Sequence, residues 1–156
     1  MTATPPLAGL CVLVTRSRAQ ASRLTRVLQE AGAKVIEVPT IRFEVARGGE
    51  LDARAVASDT YDDIVFTSQT AVASFADALE RVGASATSLR ARIAVSGTAT
   101  ARVAGERGFR VSVVPDRFVA EGLVDALLSE PIAGRRVLFP RAEEARDVLP
   151  DALIEA

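Results

Sequence analysis

Short apolar runs alternate with stretches of helical periodicity along most of this chain. LCVLVT (10–15) predicts a strand. Residues 18–31 predict a helix with Leu24, Val27, Leu28 and Ala31 on one face and Gly32 as its stop. KVIEVPTIRFEV (34–45) reads as extended, but Pro39 in its middle is foreign to a central strand, so the segment should leave its sheet and become a connector. A short helix, LDARAVAS, follows. Strand DDIVF (62–66) then leads to a helix over 69–82 whose buried stripe is Val72, Phe75, Ala76, Leu79 and Val82, ended by Gly83. RIAV (92–95), a helix from Thr98 to Gly108, RVSVV (110–114), a helix over 120–130 and RRVLF (135–139) continue the alternation. This order of elements predicts an α/β fold with parallel sheets and right-handed crossovers.

One part of the pattern occurs twice. Residues 9–31 and 134–156 align without a gap, so that Gly9 matches Gly134, Val12 Val137, Leu13 Leu138, Arg16 Arg141, Leu24 Leu149 and Leu28 Leu153. Each copy is an apolar run, a basic residue and a helical stretch, which is the strand–turn–helix half of a βαβ unit. The first copy runs on through Gly32 into a second strand; the second stops at Ala156. The expectation is a chain that ends in mid-motif.

Composition narrows the chemistry. With 156 residues and 49% hydrophobic content the chain has material for one core and part of another. The 19 basic and 20 acidic residues nearly cancel, which gives no bulk attraction to nucleic acid or an anionic membrane. All but one of the basic residues are arginine, which is first of all the mark of base-composition bias in the source genome, although arginine is also the better bidentate partner for carboxylates. Cys11 is the single cysteine; it lies in an apolar run and is expected to be a small core residue, in keeping with a reducing compartment. Neither a signal peptide nor a membrane-length apolar run is evident, so a cytoplasmic location is expected. The absence of histidine removes the usual general base, the usual triad and most transition-metal sites. GxGxxG and P-loop patterns are absent too, which disfavours dinucleotide and P-loop nucleotide binding.

In open parallel sheets, ligands bind where strands end and helices begin, because backbone N–H groups converge there. The predicted exits are Thr15-Arg16-Ser17, Thr67-Ser68-Gln69-Thr70, Ser96-Gly97-Thr98-Ala99-Thr100, Pro115-Asp116-Arg117 and Pro140-Arg141. Each has a plain structural alternative: hydroxyls after a strand often serve as helix N-caps, Gly97 can simply permit a turn, and a lone arginine is commonly solvated. Their recurrence on one sheet edge favours a binding role for Thr15, Arg16, Thr67, Ser68, Ser96, Gly97, Thr98, Thr100 and Arg141. This set donates to anionic oxygens but contains no evident nucleophile–base pair, so no catalytic residue and no metal ligand is assigned. Asp62 and Asp63 fall at a strand start, the wrong edge for an acidic phosphoacceptor pocket.

At these residues the chain resembles the uroporphyrinogen-III synthases. VTR (14–16), the VP of IEVPTI, YDDIVFTSQTAV (61–72), SGTATA (96–101), AEGLVDAL (120–127) and RVLFPRAEEAR (136–146) match that family's pattern in order and spacing. Ser96 departs from it, standing where the family usually carries an aliphatic residue; Gln69-Thr70 departs as well. The resemblance implies two flavodoxin-like domains joined by a two-stranded ladder. Residues 1–40 would open a discontinuous, incomplete first domain, and 41–156 would form a second domain lacking its last strand. It also implies cyclisation of the linear tetrapyrrole hydroxymethylbilane to uroporphyrinogen III, with loss of water and inversion of the last ring, in porphyrin and heme biosynthesis. No metal or organic cofactor is implied. The partners would be the small-molecule substrate, not nucleic acid or membrane, with self-association possible through the incomplete domain. The family's tyrosine assisting hydroxyl departure is expected beyond residue 156, and the 156-residue chain alone is expected to be inactive or nearly so. The alternative is a ligand-binding or regulatory module that kept the fold without the chemistry.

Overall fold

The computed structural model describes residues 4–40, 49–142 and 148–156. The chain divides into two compact units, Met1–Val45 and Ala46–Ala156.

The first unit is one βαβ turn. Strand β1 (Cys11–Val14) and strand β2 (Lys34–Glu37) pair in parallel around helix α1 (Arg18–Glu30), with Val12 opposite Val35 and Leu13 opposite Ile36. Helix α1 stops because Gly32 takes φ +92°, which lets Gly32 N–H reach Gln29 O (2.9 Å) and Ala33 N–H reach Leu28 O (3.0 Å). Strand β2 ends before Pro39, although Thr40 N–H still bonds Thr15 O (3.2 Å). The expected extension over 41–45 lies outside the described residues.

Two expectations for this unit need correction. Val14, Ala21 and Ala33 are buried, but Leu24 and Val27 of the predicted helix face are exposed. Cys11 is a free, exposed cysteine rather than a core residue. The cause is the same in both cases. A two-stranded sheet with one helix covers only one face, so Cys11, Leu13 (58% exposed) and Ile36 (44%) remain on open surface.

The second unit is a three-layer α/β/α sandwich. Its elements are α2 (Glu50–Val56), β3 (Asp63–Phe66), α3 (Gln69–Arg81), β4 (Arg92–Val95), α4 (Thr98–Glu106), β5 (Val111–Val113), α5 (Ala120–Leu128), β6 (Val137–Leu138) and α6 (Val148–Glu155). Single 3-10 turns at Ser58–Thr60 and Ala86–Ser88, which hydrophobic periodicity does not signal, precede β3 and β4. The four strands are all parallel in the order β5-β4-β3-β6. Strand β3 is buried along its whole length, as a parallel strand covered on both faces must be. Ile64, Phe66, Ile93 and Val95 point into one core with Val72, Phe75 and Leu79 of α3, where Phe66 lies 5.9 Å from Phe75 and 5.2 Å from Phe109. Val65 and Ala94 point into the other, with Leu123 and Leu127 of α5, Ile132 and Leu149 of α6.

The internal repeat is structural as well as textual, and it begins earlier than residue 9. Gly9 (φ +82°) and Gly134 (φ +77°) sit in equivalent turns, closed by Leu10 N–H to Leu7 O (3.2 Å) and Arg135 N–H to Ile132 O (3.0 Å). Each turn feeds a strand, β1 or β6, and Arg16 or Arg141 follows a few residues after its end.

At the entry edge of the sheet, Asp63 is completely buried. Arg92 Nε donates to its Oδ1 (2.7 Å) and Arg135 Nε lies 2.9 Å from its Oδ2; Arg92 Nη1 also reaches Glu130 Oε2 (2.6 Å). Asp62 Oδ2 accepts the backbone N–H of Arg136 (2.8 Å). One carboxylate thus holds the starts of β3, β4 and β6.

Two stability predictions follow from this packing. Asp63→Ala removes the buried counter-charge of Arg92 and Arg135, leaves only the exposed Glu130 beside them, and should destabilise the second unit by about 3–5 kcal/mol in urea unfolding. A loss under 1 kcal/mol would show the cluster to be ornamental. Gly122→Ala should also destabilise, by about 1–3 kcal/mol, despite alanine's higher helix propensity. The reason is steric: a Cβ there would stand 2.3 Å from the Arg117 carbonyl oxygen. A raised melting temperature would contradict that contact.

Candidate functional site

Because the sheet is wholly parallel, every strand of the second unit exits on the same edge. The turn after β5 is followed by those after β4, β3 and β6. The chain leaves β3 toward β4 on one side and later adds β6 on the other. The exits of β3 and β6 therefore flank the point where strand order reverses, the usual position of a ligand crevice in open α/β sheets.

Thr67 and Ser68 follow β3, and both are exposed. Ser68 caps α3, its Oγ accepting from Ala71 N–H (3.1 Å), so part of its hydrogen-bonding capacity is already in use. Thr67 offers its hydroxyl to solvent while its carbonyl accepts from Ser96 Oγ (3.1 Å). Ser96 N–H meanwhile continues the ladder to Phe66 O (3.0 Å). Ser96 thus ties the β3 and β4 exits together. That is a structural use for a residue read from sequence as a ligand contact.

Gly97 is extended (φ 169°, ψ 175°) and stands at the N-cap of α4, where it brings no side-chain acceptor to the first-turn N–H groups. Its backbone is not strained; a Cβ there would lie 3.2 Å from ring atoms of Phe118, so the absence of a side chain is what lets that ring sit this close. Thr98 is exposed at the first helical position, whereas Thr100 is 6% exposed and directed into the protein. At the β6 exit, Pro140 is buried and Arg141 is exposed, its guanidinium 5.9 Å from the Phe139 ring centre. The β5 exit is different in kind: Arg117 is paired with Asp125 (2.5 Å).

Thr67, Ser68, Ser96, Gly97, Thr98 and Arg141 are therefore brought to one edge, with Thr100 behind it. Thr15 and Arg16 belong to the first unit, both exposed at the exit of β1, where the Thr15 carbonyl accepts from Thr40 N–H and Oγ1. Ser17 beside them is buried, and its Oγ has no hydrogen-bond partner among the described residues. Phe118 was not singled out from sequence; an aromatic in a polar turn between a strand and a helix was the available signal. Among the described residues, no group of three or more acidic, cysteine or histidine side chains is placed to hold a metal ion, and no helix is long and apolar enough to cross a membrane. Hydroxyls, backbone N–H groups at a helix start and a guanidinium are groups that can donate to carboxylate oxygens; they do not form an acid–base pair.

Residues 22–156 match the family model described as uroporphyrinogen-III synthase HemD. A relative from Methanothermobacter thermautotrophicus, itself provisionally classed as a uroporphyrinogen-III synthase, is 39% identical over 140 residues, covering 90% of this chain and 55% of its own length. The uroporphyrinogen-III synthase of Synechococcus elongatus is 35% identical over 153 residues, covering 97% of this chain and 58% of its own. This chain thus spans little more than half the length of these relatives. Among solved structures, a mutant uroporphyrinogen III synthase from Thermus thermophilus superposes with a TM-score of 0.67 at 17% identity, over 94% of this chain and 57% of that one. The wild-type enzyme gives 0.56 at 18% identity, over the same shares. Together with the parallel α/β architecture and the family model that spans most of its length, these relatives show that the chain belongs to the uroporphyrinogen-III synthase family.

Proposed function

We propose that the chain serves uroporphyrinogen-III synthesis, a lyase reaction in which hydroxymethylbilane loses water and closes with its last ring inverted. We further propose that this edge holds the substrate's carboxylates. The observation that supports the reading is the convergence of Thr67, Ser68, Gly97, Thr98 and Arg141 on one sheet edge without a catalytic acid–base pair. Such a site suits this reaction. The substrate is a flexible octa-acid, and its electron-rich pyrroles themselves expel the hydroxyl, leaving a cation that a terminal ring attacks. The protein's task is then to hold the reacting ends together, which is worth on the order of 7–11 kcal/mol of barrier, and to stabilise the cation and the spiro intermediate. On the first unit taken by itself, the exposed Thr15 and Arg16 at the β1 exit are further candidates for polyacid contacts, whereas Thr100, being buried, is not assigned a direct contact.

On this reading the domains are those of the resemblance: residues 1–40 open one domain and 41–156 form most of another. The 156-residue chain alone then binds the polyacid without appreciable turnover, and its setting is the cytoplasm. Self-association is proposed through the open face of the first unit, where Leu13 and Ile36 are exposed side by side.

Binding and turnover are measured separately. Uroporphyrin III, a stable octa-acid, should bind this chain, and Thr67→Val with Thr98→Val should weaken that binding about tenfold or more, as expected for lost hydrogen bonds to charged groups. Their stability should change by less than about 0.5 kcal/mol. Incubated with hydroxymethylbilane, the chain should yield little type III isomer above spontaneous closure. Absent binding would sink the polyacid reading, and robust type III product would show that these 156 residues suffice. In sedimentation velocity, the chain should associate with rising concentration, and Leu13→Ser with Ile36→Ser should restore the monomer; a wild-type monomer at all concentrations would exclude association through this face.

A further inference from the structure

We infer that Phe118 is a specificity-determining contact for the ring system of the substrate, an inference that rests on the polyacid reading above. The turn carrying Phe118 follows β5, whose neighbour in the sheet is β4, so it lies on the same edge as Ser96, Gly97 and Thr98. The ring is seated directly over Gly97: a Cβ built there would meet its Cδ1 and Cγ at 3.2 Å. Yet Phe118 is 59% exposed, so this seat covers only part of the ring.

The other described phenylalanines are accounted for. Phe66, Phe75 and Phe109 pack against one another in the core, and Phe139 lies under Arg141. Phe118 has no aromatic or cationic partner among the described residues. Val114 and Val119, on the same segment between β5 and α5, are also exposed, at 41% and 50%. An apolar ring with its flank on a glycine and its remaining surface in water is poorly explained by packing. It is well explained as one half of a mixed site.

The two halves are complementary in chemistry. The Gly97–Thr98 turn presents N–H and hydroxyl donors to an anion, and Phe118 presents an aromatic surface beside them. A ligand that carries carboxylates on short arms around a pyrrole satisfies both at once, with a carboxylate on the turn and the ring against Phe118. An aliphatic polyacid satisfies only the turn. Phe118 therefore separates tetrapyrroles from other polyanions, and Gly97 is small so that the ring can sit this close to the donors.

Two probes test this with the chain as it is: uroporphyrin III, and 1,2,3,4-butanetetracarboxylate, which has carboxylates but no ring. Phe118→Leu should weaken uroporphyrin binding about tenfold, leave tetracarboxylate affinity within twofold, and keep the same melting temperature; Phe118→Trp should restore uroporphyrin binding. Equal losses for both probes would assign Phe118 a merely structural role and overturn the inference. So would uroporphyrin binding that Phe118→Leu leaves unchanged, in which case the polyacid reading stands without it. A wild-type chain that binds neither probe overturns both.

Discussion

A carboxylate shut away from water at the start of β3 sets the frame on which the rest of the second unit depends. Asp63 faces Arg92 directly across the β3–β4 ladder and meets Arg135 from the approach to β6, while Glu130 shares Arg92 from the end of the α5 segment. Burying an ion costs several kcal/mol unless its charge and lone pairs are met. A one-residue slip of either neighbouring strand would take away one of the two arginines that meet Asp63, and it would turn the apolar set of that strand toward the wrong core. Register at the entry edge is therefore fixed twice, by charge and by packing.

That constraint is felt at the opposite edge. Strands of two to four residues transmit their alignment faithfully, so fixing where β3, β4 and β6 begin also fixes where Thr67, Ser96 and Arg141 emerge. The edges divide the work. Paired charges collect at the entry, and mostly uncharged donors collect at the exit. Ser96 serves the architecture of the exit edge, because its hydroxyl is spent on joining two exits.

The duplicated strand–turn–helix motif separates local from tertiary causes. Its turns, glycine conformations and strand positions agree in both copies. Its burial does not. Leu149 of the second copy is 3% exposed, whereas the matching Leu24 is 38% exposed, because α5 and a four-stranded sheet cover the one and a two-stranded sheet fails to cover the other. Exposure is here a property of the layers around a motif, and of nothing within it. The misplacement of Cys11 in a core has the same origin.

Local periodicity and punctuation determined much of this protein. Alternating runs placed the six strands of the described residues and the helices between them, Gly32, Gly83 and Gly108 marked helix ends, and most of the family motifs lay at strand exits, because such features depend on neighbours a few residues away. The order β5-β4-β3-β6 was not legible, since any arrangement of parallel strands satisfies the same apolar runs. Strand order alone decided that Thr67 and Arg141 flank the reversal point, and chain packing alone decided that Thr100 turns inward and that Phe118 rests on Gly97. These are contacts between segments distant in sequence, and a linear pattern carries no record of which distant segments become neighbours.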